Sequence, residues 1–408
     1  MERSLKEHLF SRNSKKESSL WLSFCCSLHT QIFLLYLIPY DHSSMPSESN
    51  YQIYSTSKDA WHAMYQALLG AQKSVYWELY IFVDDAEGKN FFDLLEKKAT
   101  QGVDVKLIID SLGSFWVSRK RVHSLKKAGV DVHFFSQRKF RYRGIWRKLV
   151  SRTHRKVLVI DEEVGFIGGV NIQKHMAEWL DIQIRLEGNV VHSLLRAFAK
   201  MYIICGGAKK EVKHLLKYKF RVTHDEVDFI YDEGNEKRSR ARKKYTEALL
   251  KARERVILFS PYYFPDKQLL KALWSARKRG VKIDLLIPFR TDLRILTYAA
   301  YTWFSFMRKI GVNVRLTKVM MHGKGVIMDD DWAMIGSSNI DHTSFRDNYE
   351  ANVKISNKLF VQRMKETIGR WMEESMSLDD VKWNNRGIIH RLKEKIAIRL
   401  YRIWHRKR

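Results

Sequence analysis

Two stretches of the chain carry the same reactive side chains at the same spacing. The first runs His154-Arg155-Lys156, the apolar Val157-Leu158-Val159-Ile160, Asp161, and then Gly168-Gly169-Val170-Asn171. The second runs His322-Gly323-Lys324, Gly325-Val326-Ile327-Met328, Asp329, and Gly336-Ser337-Ser338-Asn339. Both fit H-x-K-x4-D-x6-G-[GS]-x-N. Alternate residues of an extended strand share a face, so the His and the Lys two positions on point the same way. The apolar run anchors the strand in a sheet, and the glycines permit a tight turn that returns the Asn beside the His and Lys. One copy offers an imidazole, a cation and an amide donor at a single point. Two copies facing each other offer two of each.

A phosphodiester needs that set. Its non-bridging oxygens carry a negative charge that Lys156, Lys324, Asn171 and Asn339 can hold as the transition state forms. One imidazole can attack phosphorus to give a phosphohistidine while the other protonates the leaving alkoxide. The two lysines supply the charge that a metal supplies elsewhere, so no metal and no cofactor is expected. A single such string can arise by accident, and a lone strand histidine is more often structural than catalytic. Two copies with matching downstream Gly and Asn point to catalysis. Asp161 and Asp329 complete the candidate catalytic set, but they read as structural groups, bonding backbone amides or basic residues beneath the site.

The elements that must position these residues also come twice. Residues 75–82 (VYWELYIF) read as a buried strand, residues 91–98 as a helix, and Gly102 as the turn into a second strand ending at Asp110. Residues 256–263, residues 269–277 and Gly280 repeat the same order. Each half continues through a helix to a further glycine turn, at Gly129 and at Gly311. Strands alternating with helices at this spacing predict an α/β fold, and the matched order predicts a duplication. The reading divides the chain into an N-terminal segment of uncertain character (1–45), two similar domains (46–210 and 211–380) and a basic tail (381–408), with the domain boundary within 206–222.

The bulk properties agree with two domains and narrow the partners. A chain of 408 residues can bury two cores, and 45% hydrophobic with 29% charged residues excludes a disordered or fibrous chain. Lys and Arg number 73 against 45 Asp and Glu, a net charge of +28. Such an excess favours polyanions, either nucleic acid or anionic lipid. Cys25, Cys26 and Cys205 have no metal-ligand or disulfide spacing, which points to a reducing, cytoplasmic setting. Residues 20–40 are mostly apolar, but His29, Thr30, Gln31 and Pro39 break the run. This makes them a marginal spanning helix, for which about 20 apolar residues are needed, and no signal-cleavage pattern is present. Met45 as the true start is the other reading.

Two basic segments bear on the partner. Residues 138–156 interleave Arg138, Lys139, Arg141, Arg143, Arg147 and Lys148 with Phe140, Tyr142 and Trp146, just before the first histidine. Residues 386–408 are rich in Lys and Arg against the single acid Glu394. There Ile389, Leu392, Ile396, Leu400 and Ile403 recur at helical spacing, with Tyr401 and Trp404 beside them. A basic amphipathic helix suits an interfacial membrane anchor. The alternative is a helix that docks its apolar stripe on the protein's own core. Basic and aromatic residues together also hold single-stranded nucleic acid, which keeps a nuclease as the rival class.

The doubled motif resembles that of the phospholipase D superfamily, and the resemblance covers about residues 51–371. It implies two phospholipase D-like α/β/α domains about a pseudo-twofold axis with one active site at their interface. It also implies a carboxylate downstream of each histidine, bonded to the imidazole to orient it: Asp181 after His154 and Glu350 after His322. It further implies that the first motif supplies the nucleophile, His154, with His322 as general acid and then base; the exchanged roles stay open. The finer resemblance is to bacterial cardiolipin synthases of the shorter, peripheral type. It rests on Tyr80-Ile81-Phe82, Asp84-Asp85, Asp110-Ser111-Leu112-Gly113-Ser114, Arg152, Trp179, Pro261 to Asp266, Asn339-Ile340-Asp341 and Asn348-Tyr349-Glu350. Gly169 departs from the family's usual Ser. What this resemblance implies is transfer of a phosphatidyl group from phosphatidylglycerol to a second phospholipid with release of glycerol. It implies anionic phospholipid partners (phosphatidylglycerol, cardiolipin) and a peripheral place on the cytoplasmic face of a bacterial membrane. A lipid hydrolase and a nuclease are the alternatives.

Overall fold

The computed structural model describes residues 51–135, 151–218, 223–224, 226–234 and 239–406. The apolar run at 20–40 and the basic-aromatic residues 138–148 fall outside them. No helix among the described residues is long and apolar enough to cross a membrane.

The first half is built from β1 (Tyr51–Thr56), α1 (Ser57–Gly70), β2 (Ser74–Leu79), α2 (Ala86–Thr100), β3 (Asp104–Asp110), α3 (Arg119–Lys127), β4 (Asp131–Phe135), β5 (Val157–Ile160), β6 (Val164–Gly168), β7 (Leu180–Glu187) and α4 (His192–Ile204). The second begins with β8 (Thr223–His224) and β9 (Val227–Glu233). It continues through α5 (Arg240–Lys251), β10 (Arg255–Phe259), α6 (Lys267–Lys278), β11 (Lys282–Pro288), α7 (Arg294–Lys309), β12 (Asn313–Thr317), β13 (Gly325–Met328), β14 (Trp332–Gly336), α8 (His342–Arg346), β15 (Tyr349–Ile355), α9 (Lys358–Glu373) and β16 (Met376–Ser377). The chain closes with α10 (Ile388–Arg406).

The two sheets share one topology. The first has the order β1-β7-β6-β5-β2-β3-β4; the second repeats it as β9-β15-β14-β13-β10-β11-β12, extended by β8 at one edge and β16 at the other. In each, three neighbouring strands are parallel (β2, β3, β4 and β10, β11, β12) and the rest of the repeated order is antiparallel. The helices between the parallel strands begin with side-chain caps: Asp85 accepts from the Glu87 and Gly88 amides, Asp266 from the Leu269 amide.

Period-two alternation decides which face each strand residue covers. Leu158 and Ile160 of β5 pack with Phe91, Phe92 and Leu95 of α2 in an outer core. Val157 and Val159 point the other way, into a core shared by both halves. That shared core takes Ile327 from β13, Leu195 and Phe198 from α4, and Met364 and Ile368 from α9. The outer core of the second half holds Val326, Met328, Leu269 and Phe304. Each sheet is thus covered on both faces. The burial of β5 and β13 on both sides explains their uninterrupted apolar sequences.

Candidate active site

The histidines lie just before β5 and β13, where short parallel bridges join the two halves. Thr153 bridges Tyr349, and Leu180 bridges Met321. The His154 amide donates to the Tyr349 carbonyl at 2.9 Å, and the Tyr349 amide returns to Arg152 O at 2.8 Å. In mirror fashion the His322 amide donates to Leu180 O at 2.6 Å, and the Leu180 amide to Met320 O at 3.1 Å. Tyr349 opens β15 and Leu180 opens β7, so each histidine is stitched to the carboxylate-bearing strand of the opposite sheet.

That stitching carries the carboxylates across. His154 Nδ1 lies 3.0 Å from Glu350 Oε2, and His322 Nδ1 lies 2.7 Å from Asp181 Oδ2. The expectation that each histidine is served by the carboxylate downstream in its own half is therefore corrected. The pairing is crossed, because the residue that follows Tyr349 or Leu180 emerges beside the histidine its neighbour is bonded to. All four side chains are buried.

The lysines follow their histidines inward. Lys156 Nζ donates to His154 O at 2.7 Å and sits 5.0 Å from the centre of the Tyr80 ring. Lys324 Nζ bonds His322 O and lies 2.7 and 2.8 Å from the two ring nitrogens of His322. Burial, with Lys324 next, holds Lys156 well below the usual lysine range, and burial pushes Lys324 down to about 8. Burial also pushes His154 down to about 4 against the opposing pull of Glu350. It lowers His322 too, with the Lys324 ammonium adding to the effect. Glu350 and Asp181 stay below their ordinary values: burial would raise them, but the imidazoles and lysines outweigh it. Two lysines and two carboxylates balance formally, and a negative charge brought in beside them favours the protonated forms of the lysines and imidazoles.

The motif asparagines are buried. Asn171 Oδ1 accepts from the Ile81 amide at 3.1 Å, and its buried Nδ2 has no protein partner. Asn339 Oδ1 is buried without a protein partner as well, and turning that amide over presents an N–H instead. The glycines ahead of them act differently from the tight turn expected. A Cβ on Gly168 would stand 2.2 Å from Ile182 O, and one on Gly336 2.4 Å from Ala351 O. These glycines let β6 and β14 close tightly on the strands that bear Asp181 and Glu350.

Asp161 and Asp329 stand at the far ends of β5 and β13, away from the reacting groups. Asp161 accepts from the amides of Gln72, Lys73 and Ser74, and Asp329 from those of Arg253, Glu254 and Arg255. The expectation that they belong to the catalytic set is corrected by this geometry: a four-residue strand, roughly 13 Å long, separates each from its histidine. Both adopt positive φ, 52° and 48°, at the turn that follows the strand.

Several contacting residues carry no role in the motif reading. The Tyr80 ring meets His154 edge-on at 4.9 Å, and Trp179 lies 5.5 Å from His322. Ser337 Oγ donates to Glu350, and Asn348 Nδ2 reaches its other oxygen at 3.4 Å. Asp110 accepts from the Thr153 amide at 3.2 Å and pairs with Arg152 at 3.6 Å, holding the approach to His154. Arg155 lies between the rings of Tyr231 and Tyr349 and donates to Glu350 O at 3.3 Å. Ser337 sits inside the motif and Asn348 two residues before Glu350, so both were within reach of a spacing argument.

A duplicated mixed sheet with paired His–Lys–Asn sets at one interface defines a phospholipase D-type fold. The crystal structure of a phosphatidylserine synthase from Haemophilus influenzae Rd KW20 has the same fold: TM-score 0.68 at 13% identity, over 88% of this chain and 94% of that one. The model of the cardiolipin synthase, PLD-like domain matches residues 64–202 and 245–372. Cardiolipin synthase B of Escherichia coli (strain K12) is 31% identical over 326 residues, 78% of this chain and 79% of that protein. The probable cardiolipin synthase YwiE of Bacillus subtilis (strain 168) is 28% identical over 373 residues, 90% of this chain and 74% of that one. The chain belongs to this cardiolipin synthase family and is a phosphatidyltransferase of the phospholipase D superfamily.

Proposed function

We propose that the protein is a cardiolipin synthase-type phosphatidyltransferase that moves a phosphatidyl group from phosphatidylglycerol to a second phospholipid. The observation that carries this reading is the crossed pair of buried His–carboxylate dyads, with Lys156 and Lys324 both acting electrostatically on each imidazole.

His154 is the nucleophile. Its Nδ1 is engaged by Glu350, so the lone pair of Nε2 is the one free to attack phosphorus. The neutral ring is favoured by burial and by the charges of Lys156 and Lys324, against the pull of Glu350. The P–N bond forms as the bond to the glycerol oxygen breaks, and His322 gives that oxygen its proton. A bound phosphodiester anion pairs with Lys324 and with the imidazolium, which reverses the downward push on His322. The hydroxyl of the second lipid then gives its proton back to His322 and attacks phosphorus. The P–N bond breaks and His154 is released. Lys156, Lys324, Asn171 and Asn339 hold the non-bridging oxygens throughout. We place the reaction at an anionic membrane surface on its cytoplasmic face, with residues 46–210 and 211–380 as the two catalytic domains.

Labelled phosphatidylglycerol vesicles and, separately, single-stranded DNA test the reading, with products resolved. Cardiolipin with stoichiometric glycerol is expected. Phosphatidic acid alone would make the protein a hydrolase, and cut DNA with untouched lipid would make it a nuclease.

A further inference from the structure

Large apolar side chains stand in solvent in three places. Two of them are loops at the carboxyl ends of parallel strands, the end of a sheet where such sites form. The loop after β3 exposes Leu112, Phe115 (68%) and Trp116 (73%), the two rings edge-to-face at 5.5 Å. It leaves directly from Asp110, which holds Thr153 beside His154. The equivalent loop after β11 carries Asp292, whose charge acts on Lys324, and exposes Leu293, with Ile295 exposed in the first turn of α7 that follows.

The third place is α10. It runs antiparallel to α7: Trp383, just before it, bonds Ser305, His390 stacks on Tyr301, and Tyr401 stacks on Phe264 at 4.0 Å. Phe264 belongs to the loop after β10, so α10 heads toward the same end of the sheet. It docks through His390, Glu394, Ala397, Ile398 and Tyr401. The stripe Ile389, Leu392, Ile396, Leu400 and Ile403 faces outward instead, each at least 44% exposed. At about 100° per residue that stripe spans one narrow arc. Lys393 borders it on one side, and Lys395, Arg399 and Arg402 on the other.

We propose that α10 and the two loops form one docking surface for an anionic phospholipid bilayer, seating the mouth of the site at the headgroup level. The proposal rests on the phospholipid reading given above and specifies the surface through which it operates. An apolar stripe edged by cations on both sides matches an interface with acyl chains beneath and phosphates around. A twofold pairing of the stripe with a second copy would bring the cationic edges against each other in a chain of net charge +28. Nucleic acid would leave the isoleucines and leucines uncovered.

The test is cosedimentation of the full chain with phosphatidylcholine vesicles, with and without phosphatidylglycerol, at low and high salt. Wild type should bind the anionic vesicles and lose binding with salt. I396S/L400S/I403S should weaken binding at least about tenfold, and F115S/W116S should weaken it as well. Replacing Lys393, Lys395, Arg399 and Arg402 by Gln should cost about fivefold per charge at low salt. Turnover of phosphatidylglycerol dispersed in detergent micelles should stay within about twofold in the α10 variants, which separates docking from chemistry and reports intact folding. Wild-type affinity in the α10 variants, or indifference of wild type to the anionic lipid, would overturn the proposal. So would a wild-type dimer that the triple variant converts to monomer with vesicle affinity unchanged. Salt-sensitive vesicle binding without any lipid product in micelles would sink the proposed reaction and leave the docking surface standing.

Discussion

His154 and His322 are each held by a carboxylate from the opposite half, yet the two carboxylates are kept differently. Glu350 also accepts from Ser337 Oγ and Asn348 Nδ2. Asp181 accepts from the His322 ring and from the amide of Ile182, and Gly169 stands where the second half has Ser337. A Cβ on Gly169 would lie 2.2 Å from Asp181 Oδ1, so the first half has no room for a serine unless Asp181 moves. The consequence is electrostatic. Glu350 shares its charge among His154, Ser337 and Asn348, whereas Asp181 shares its charge between His322 and the Ile182 amide with no side-chain hydroxyl beside it. A duplicated frame supplies two imidazoles that burial holds toward the neutral form, and one side chain per half makes the hold of the carboxylate on each ring different.

Four sets of substitutions break or sharpen this contrast. His154→Ala and His322→Ala should each cost on the order of 10⁴-fold in turnover. Of the two, only H322A should retain a trappable phosphoenzyme; a phosphoenzyme in H154A and none in H322A would exchange the roles. Glu350→Gln and Asp181→Asn should each cost about 10²- to 10³-fold, with the fall in kcat larger than any change in KM. Ser337→Ala should cost about tenfold and move the acid limb of kcat/KM upward. The sign follows from His154, which burial holds at about 4 and Glu350 pulls up. Freeing Glu350 from Ser337 strengthens that pull, and the imidazolium then persists to higher pH. An acid limb that moves down, or not at all, would refute the shared-charge account.

The smallest effect is expected where the halves are most alike. Asp329 is held below its ordinary value by three backbone amides against the opposing effect of burial. A group depressed in this way stabilises the fold above its unfolded value, near 3.9, and the contribution fades as pH falls through the lower folded value. Asp329→Asn should therefore lower stability at pH 7, on the order of 1 kcal/mol once solvent exposure is discounted. The deficit should shrink below about pH 4. Thermal melts at pH 7 and pH 3 check it, and turnover at neutral pH should remain close to wild type.

Much of this was legible in the residues. Alternation and matched glycine turns placed the strands and helices of both halves within a few residues, since buried strands and capped helices are local patterns. The motif aspartates read as structural groups bonding backbone amides or basic residues, and it is the amides that they bond. The crossing of the carboxylates was not legible there. Leu180 and Tyr349 find their partners through bridges between halves, and distance along the chain reports only the half a residue belongs to. The glycines misled for a related reason: Gly168 and Gly336 answer to a neighbouring strand rather than to a turn of their own. The C-terminal helix has two apolar faces, one with Ala397 and Tyr401 and one with Leu392, Ile396 and Leu400. Composition alone does not say which of them α7 covers.

The crossed pairing is the centre of the account, and histidine titration reads it directly. Ring resonances of His154 and His322, assigned through the single alanine variants, would be followed by NMR against pH in wild type, E350Q and D181N. The account predicts that E350Q lowers the His154 pKa further and leaves His322 in place, and that D181N lowers His322 and leaves His154 in place. Movement of His322 in E350Q and of His154 in D181N, each without its partner named here, would contradict it.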